Sequence, residues 1–566
     1  LSEQRKFHPA SAATYGEGIM MHGRVTSAAE CRPIAGVQVT ALDSNRTVLS
    51  SATTDASGTW SFSANFGIAW LRFHKAGWGT KLVSCQEPKP CVRLLEDRVI
   101  GYHDKLWFYP GESPHVFVHS PATYRARLFR HGLDKELVLD LGERPAQRRE
   151  VPDAPWVADG LPWTPSWDYT LPADLRPGLY SLKLESPGQA FAIPLVIATP
   201  ASQRGKRTPL VVLASTLTWQ AYNFYGGRSK YLCWEEQVAP IEPFIPSWRY
   251  HLQQRIKEIF LPGRIRHWLR RLRCPRPAWQ VQPLSVRRPF THSGMEVDDP
   301  FAPFTNHLAG GEWRLLAWLE REGLEYDFIP GEALHACPDL LAKYKAAILS
   351  THCEYISKEM YAGLYRFHTE QGGWLLNLSG NSFYCEVEIA ADAMRFVGGL
   401  FMDTCADETQ LLGVRFTRDD IGTLAHFRIV KPTHWSFAGI DLPADGCFGR
   451  QSLNQETPRT SQEMDPSRPG ESPVIYGQGA SGWEADKLSD TAPRDIAVIA
   501  KGMNHFGGAD MVVREPARSR GGMFSASSIT FSGSLLVDEV ASQLVKNVVQ
   551  RALALATSAR EQKRAA

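Results

Sequence analysis

Long apolar runs are missing from this 566-residue chain. The longest are short, strand-like stretches such as Pro209–Ala214, far below the roughly 18 residues of a membrane-spanning helix, so no transmembrane segment is expected and the chain reads as soluble. A surplus of charge is also missing. Lys and Arg number 62 against 60 Asp and Glu, which leaves no global footprint for nucleic acid. Cysteine is scarce, at ten residues, with no Cys-x-x-Cys pair. That excludes a disulfide framework and speaks against a thiolate zinc site. Cys85 and Cys91 are close enough to bridge across a loop, although spacing alone cannot establish bridge geometry. Cys233, Cys274, Cys337, Cys385 and Cys447 sit beside apolar or aromatic neighbours, as buried free thiols do. A reducing, cytoplasmic compartment is the expectation. What is present is ordinary globular material, 43% hydrophobic and 22% charged, which excludes disorder, collagen and coiled coil.

The length suggests several domains. Residues 18–97 read as a small β-sandwich, in which Gly23-Arg-Val-Thr, Val37-Gln-Val-Thr-Ala-Leu and Thr59-Trp-Ser-Phe-Ser alternate between Asp-rich turns. Residues 98–200 form a second block of strands punctuated by proline, again read as a sandwich. Beyond the polar linker Ala201–Arg207 the pattern changes. Pro209-Leu-Val-Val-Leu-Ala is continuously apolar, as a strand buried on both faces of a parallel sheet must be. Strands at Tyr326-Asp-Phe-Ile, Ala346–Ser350 and Trp374–Leu378 alternate with helices at Glu312–Gly323, Asp339–Tyr344 and Lys358–Gln371. Further strands (Ile496–Ala500, Met511-Val-Val-Arg, Met523–Phe531) and a helix at Val537–Ala554 follow. The fold class is therefore multidomain β plus α/β: two N-terminal sandwiches, then a doubly wound parallel sheet over 205–558.

In open α/β sheets ligands bind beyond the carboxyl ends of the strands. That rule selects Thr216–Gly227, Thr351–Tyr355 and Ser379–Ser382 before any motif is consulted. His352 and Glu354 lie two apart just past a strand end, so both can reach one ion. A phenolate from Tyr222 or Tyr225 would complete a hard N/O donor set that suits iron better than a thiolate-preferring metal.

These segments carry a resemblance. Trp219-Gln-Ala-Tyr-Asn with Gly226-Gly227, Arg288-Pro-Phe, His352-x-Glu-Tyr, Leu378-Ser-Gly-Asn, Gly479-Ala-Ser-Gly-Trp-Glu-Ala-Asp and Met523-Phe-Ser-Ala-Ser-Ser-Ile, in that order over roughly 205–555, resemble the large subunit of N,N-dimethylformamidase. The resemblance implies a class I glutamine-amidotransferase-like sheet and one iron, Fe3+, held by Tyr222, His352 and Glu354. It also implies Asn381 as a substrate contact and Glu484 as the general base. The implied activity is hydrolysis of the C–N bond of a small or N-substituted non-peptide amide. Self-association and a small partner subunit are implied as well. Two departures stand out. A module over 18–97 that resembles the carboxypeptidase-regulatory-like immunoglobulin type replaces the family's lectin-like front domain. An insertion also spans about 232–287, whose Ser247–Arg273 is strongly basic with apolar residues at helical spacing, read as a packed lid or a docking surface.

Two rival readings follow from the residues. Cys353 lies where amidotransferase-like folds carry a nucleophilic cysteine, which would make the protein a thiol amidase, although neighbours in extended chain face opposite ways and separate it from His352. Alternatively, two β modules ahead of a degenerate pocket would describe a non-catalytic carbohydrate- or partner-binding protein.

Overall fold

A computed structural model describes residues 19–64, 67–86, 91–233, 281–302, 306–397, 400–417, 420–454, 478–518 and 520–565. The basic segment 247–273 and most of the insertion 232–287 lie outside the described residues. The chain forms two compact units: one comprises the residues up to Asp97 with Arg148–Pro155, the other Arg98–Gln147 with Trp156 onward.

The first unit is two β-sheets over a shared core. Strand Ile19–Ser27 pairs with Thr59–Ala64 and Cys91–Leu94. Facing it is a four-stranded sheet in the order Val48–Thr53, Gln38–Leu42, Trp70–His74, Lys81–Ser84. Alternation sends Leu71 and Phe73 inward, where they meet Val25, Val39 and Trp60. The Lys81 ammonium is buried. It donates to Asp153 Oδ1 at 2.5 Å and to the Val151 carbonyl at 2.8 Å, tying 148–155 to this unit. Cys85 and Cys91 are free thiols.

The second unit begins with more β structure. A five-stranded sheet runs Lys135–Arg144, Tyr124–His131, Gly178–Ser186, Gln189–Ile197, Trp107–Phe108, and a three-stranded one joins Trp167–Asp168, His115–His119 and Ile100–His103. The centre is a nine-stranded sheet, numbered here in chain order within it: β1 Leu210–Ala214, β2 Asp327–Pro330, β3 Ala346–Thr351, β4 Trp374–Ser379, β5 Phe427–Ile429, β6 Cys447–Phe448, β7 Ile496–Gly502, β8 Asp510–Arg514 and β9 Met523–Ser525. The spatial order is β2-β1-β3-β4-β9-β8-β7-β5-β6. Strands β1 to β4 are buried at every position, which is why their sequences are apolar without alternation.

Only half of this sheet is parallel. The pairs β2·β1, β1·β3, β3·β4 and β4·β9 run parallel, whereas β9·β8, β8·β7, β7·β5 and β5·β6 run antiparallel. The expectation of a parallel sheet throughout is corrected accordingly. Parallel neighbours need a crossover of a dozen residues or more, and the short connection from β7 to β8 permits only a hairpin. The strand expected over Met523–Phe531 stops at Ser525, after which Phe531–Ser534 is a short helix. The helix expected at Asp339–Tyr344 is a 3-10 turn, Pro338–Lys343.

In the parallel half the chain leaves β1 for β2 on one side, then crosses back over β1 to β3 and on to β4. Right-handed crossovers put those connections on opposite faces and make the gap between β1 and β3 the topological switch point. The long connections carry helices Ala309–Arg321 and Lys358–Thr369, the latter capped by the Ser357 hydroxyl, which accepts the Met360 N–H. Among the described residues no helix is long and apolar enough to cross a membrane.

Candidate active site

Strand β1 runs through Ser215 into helix Thr216–Tyr222, whose last residue is Tyr222. Strand β3 ends at Thr351 and delivers His352, Cys353 and Glu354. Strand β4 ends at Ser379, with Gly380 and Asn381 next. The two-residue link between strand Ser481–Gly482, which pairs with Leu424–Ala425, and strand Ala485–Leu488, which pairs with Val414–Thr417, supplies Trp483 and Glu484. Thr351, Asn381, Phe383 and Trp483 all adopt positive φ, from +45° to +62°. Left-handed backbone at non-glycine residues costs about 1–3 kcal/mol each, and such strain tends to collect at functional sites.

The side chains converge. His352 Nε2 lies 3.4 Å from Glu354 Oε2 and 3.4 Å from Glu484 Oε2. Asn381 Nδ2 donates to Glu484 Oε2 at 2.8 Å and to Glu354 Oε1 at 3.3 Å. The Tyr222 ring stands 5.5 Å from the His352 ring, centre to centre. The structure therefore brings Tyr222, His352, Glu354, Asn381 and Glu484 into one recess at the switch point. Tyr225 goes elsewhere: its ring packs on Trp156, and its carbonyl accepts from Arg288.

Burial dominates the electrostatics. It lifts the Glu354 carboxyl to about 7, against the opposing pull of His352 and with the help of the Glu484 charge. Burial also lifts the phenols of Tyr222 and Tyr231 well above their usual range, reinforced by Glu354. For His352 burial opposes the cation, but the Glu484 carboxylate, 3.4 Å from Nε2, and the charge of Glu354 prevail, and its pKa rises. Behind Asn381, the buried Asp486 carboxyl is raised to about 7, again by burial first.

Several residues here are invisible to motif reading. Tyr231 donates its hydroxyl to both Glu354 oxygens, at 2.7 and 2.6 Å, and touches the Tyr355 hydroxyl. The residue as a whole is 45% exposed while its hydroxyl bonds the buried Glu354. Gly226 and Gly227, ahead of Tyr231, both have positive φ, and a Cβ on Gly226 would strike Val157 and Trp156 at 2.6–2.7 Å, so the loop requires glycine at 226. His307 lies 4.6 Å from Tyr222 and 4.4 Å from Trp483, ring centre to ring centre, and these three shape the mouth. Arg288, fully buried, donates to the carbonyls of Ser285, Tyr225, Arg228 and Gln220 and so pins the tyrosine loop.

Cys353 faces the other way. Its neighbours are Ser215 and Glu312, and burial pushes the thiol up to about 12. A thiol held neutral and turned from His352 is a poor nucleophile.

Whether the recess suits a metal can be judged from its donors. Among the described residues, no three His, Cys, Asp or Glu side chains surround a common metal position, so any ion here needs phenol donors. Those are present. His352, 1% exposed, has neither ring nitrogen in a well-formed hydrogen bond, an arrangement buried polar groups rarely tolerate without a further partner. Phenols, imidazole and carboxylate together form a hard donor set, and the residues fit.

Fold and site define a class: a mostly β, many-sheeted protein with a buried carboxylate cluster at the switch point in the parallel half of its central sheet, flanked by phenols and imidazoles. The family described as "N,N-dimethylformamidase beta subunit-like, C-terminal" matches residues 125–400 and 399–543. This chain belongs to that family. The match starts within the second β block, earlier than the 205 expected from the motifs. It is 24% identical over 434 residues to the N,N-dimethylformamidase beta subunit of Alcaligenes sp, and 25% identical over 435 residues to that of Paracoccus aminophilus, in each case over 69% of this chain and 54% of the relative. The chain thus spans about half the length of the curated relatives it matches. Likeness to solved structures is slight: Salmonella alpha-2-macroglobulin aligns at a TM-score of 0.14 with 14% identity, over 30% of this chain and 11% of that one.

Proposed function

We propose that the protein is an amidohydrolase that cleaves the C–N bond of a small, non-peptide amide, as the names of its relatives suggest. The observation that carries this reading is the bridge by Asn381 Nδ2 between Glu484 and Glu354 beside His352. It fixes a partly exposed carboxylate beside the buried His352 and Glu354. Glu484 is 14% exposed at its side chain, and only one of its oxygens is taken by Asn381. The other can accept a proton from water as that water adds to the amide carbonyl carbon. Glu484 then returns the proton to the nitrogen as the C–N bond breaks, giving a carboxylic acid and an amine. Asn381, whose side-chain amide donates to both carboxylates, orients Glu484 and lies where it can also contact the substrate.

Tyr222, His352 and Glu354, with Tyr231 alongside, would hold an iron(III) ion, which when bound supplies Lewis-acid polarisation of the carbonyl. His307, Trp483 and Tyr222 form an aromatic cluster beside the carboxylates that suits an N-alkyl or aryl amide. We also read the parallel half of the sheet as glutamine-amidotransferase-like and the first unit as an immunoglobulin-type spacer. On the same reading the protein is cytoplasmic and assembles with itself and a small subunit.

A panel of formamides, N-alkyl amides and aryl amides tests the proposal. At least one should be hydrolysed, with Glu484→Gln and His352→Ala each lowering kcat/KM by about 100-fold or more. Purified protein should carry iron and a visible phenolate-to-iron band that Tyr222→Phe alters. A wild type inert toward every amide, or variants that match it, would refute the reaction, and colourless active protein would refute the metal.

A further inference from the structure

Asp486 is a buried carboxyl that the proposed chemistry does not use. It is 1% exposed and sits two residues beyond Glu484, on strand Ala485–Leu488. Its charged neighbours include Glu484 and Glu408, both acidic. Burying a carboxylate beside like charge is unfavourable unless the group is satisfied by donors. Those donors are backbone amides. Asp486 Oδ1 accepts the Asn381 N–H at 2.8 Å, and the Ser382 N–H also bonds the carboxyl.

The position of these amides matters. Asn381 has φ +49°, a conformation that asparagine tolerates better than most residues but that still needs external support. The residue before it, Gly380, is pressed so closely on the Glu484 carbonyl and the Ile529 N–H that a Cβ would meet each at 2.5 Å. From this constrained turn the Asn381 side chain reaches Glu484 at 2.8 Å and Glu354 at 3.3 Å. One short segment, Glu484 and the first two residues of the strand after it, therefore supplies both Glu484 and the group that fixes the residue which orients Glu484.

We infer that Asp486 is a positioning residue. By gripping the Asn381 and Ser382 amides it holds Asn381 in the left-handed conformation from which the side-chain amide aligns Glu484 with Glu354. It touches no substrate and acts through Asn381. Its kinetic consequence rests on the hydrolytic reading above, whereas its structural consequence does not.

Crystal structures and kinetics of Asp486→Ala, Asp486→Asn and the double variant Asp486→Ala/Asn381→Ala test this. In D486A, Asn381 should leave positive φ and lose its contact with Glu484, and kcat should fall about 100-fold with KM changed less than about threefold. D486N retains a carbonyl oxygen that can accept one amide; it should keep Asn381 in place and recover most of kcat, and it serves if D486A does not fold. The double variant should be no slower than Asn381→Ala alone, because both changes remove one alignment. Asn381 unmoved in D486A, full activity in D486A, or additive losses in the double variant would each overturn the assignment. Should wild type hydrolyse no amide, the proposed reaction fails, and the crystal structures alone decide the role of Asp486.

Discussion

At the scale of single residues, the recess is held by groups whose partners lie far away in sequence. Glu312, in the first turn of helix Ala309–Arg321, is fully buried and accepts from the Ser215 N–H at 3.0 Å and Trp219 Nε1 at 2.8 Å. It thereby staples the turn that leads to Tyr222. Burial raises its carboxyl from 4.5 to about 8. The folded protein thus keeps this proton up to about pH 8, while the unfolded chain releases it near 4.5, so folding takes up a proton between those values. This contribution to stability is complete below about pH 4.5, declines as pH rises, and is gone above about 8. Glu312→Gln keeps the carbonyl acceptor without the titration. It should flatten the pH dependence of the urea midpoint between pH 5 and 8 by the equivalent of a few kcal/mol, and an unchanged slope would show that Glu312 is not buried as a neutral acid. Strand-end placement pointed to His352 and Glu354 but left Tyr222 and Tyr225 open, the family resemblance singled out Tyr222 and Asn381, and alternation made it legible that Cys353 faces away. Tyr231, Asp486 and Glu312 were not legible, because their significance lies in hydrogen bonds to residues 123, 105 and 97 positions away.

At the scale of elements, helices and buried strands announce themselves where local chemistry is strong. Lys358–Thr369 begins at a serine cap and gives way to Gly372 at φ +69°, and both ends are written in the sequence. Strands β1, β3 and β4 are recognisable as apolar runs. The antiparallel half is harder to read because its strands are half polar or very short, and pairing direction is set by connection length rather than by composition. Gly380 shows how tightly elements meet in the recess. Gly380→Ala would drive a methyl group into the backbone of residues 484 and 529, neither of which can yield by a rotamer change. The expected loss is about 1–3 kcal/mol in chemical denaturation, together with weakened turnover because Glu484 is displaced. A variant of wild-type stability would mean that the turn can relax.

At the scale of the whole molecule, each unit has its own hydrophobic core, and each should unfold in its own transition. Lys81 and Asp153, with side chains 9% and 3% exposed, form the buried pair of the first unit. Removing one member of such a pair is typically worth about 3–5 kcal/mol. Lys81→Met should therefore lower one calorimetric transition and leave the other where it was, and a common shift of both would argue against independent cores. The pair joins residues 72 apart, and no local pattern foretells it. The order of strands in the central sheet also has a consequence in time. Strand β9 lies directly against β4, yet about 140 residues separate them in the chain. At about 5–20 residues per second, a ribosome needs some 7–30 seconds to cover that distance. Throughout that interval β4 is an apolar edge without its neighbour, a template for the wrong partner, and the recess cannot exist because Glu484 and Asp486 are not yet in place. Nascent chains stalled before residue 523 should recruit a holdase chaperone, and chains released beyond it should not.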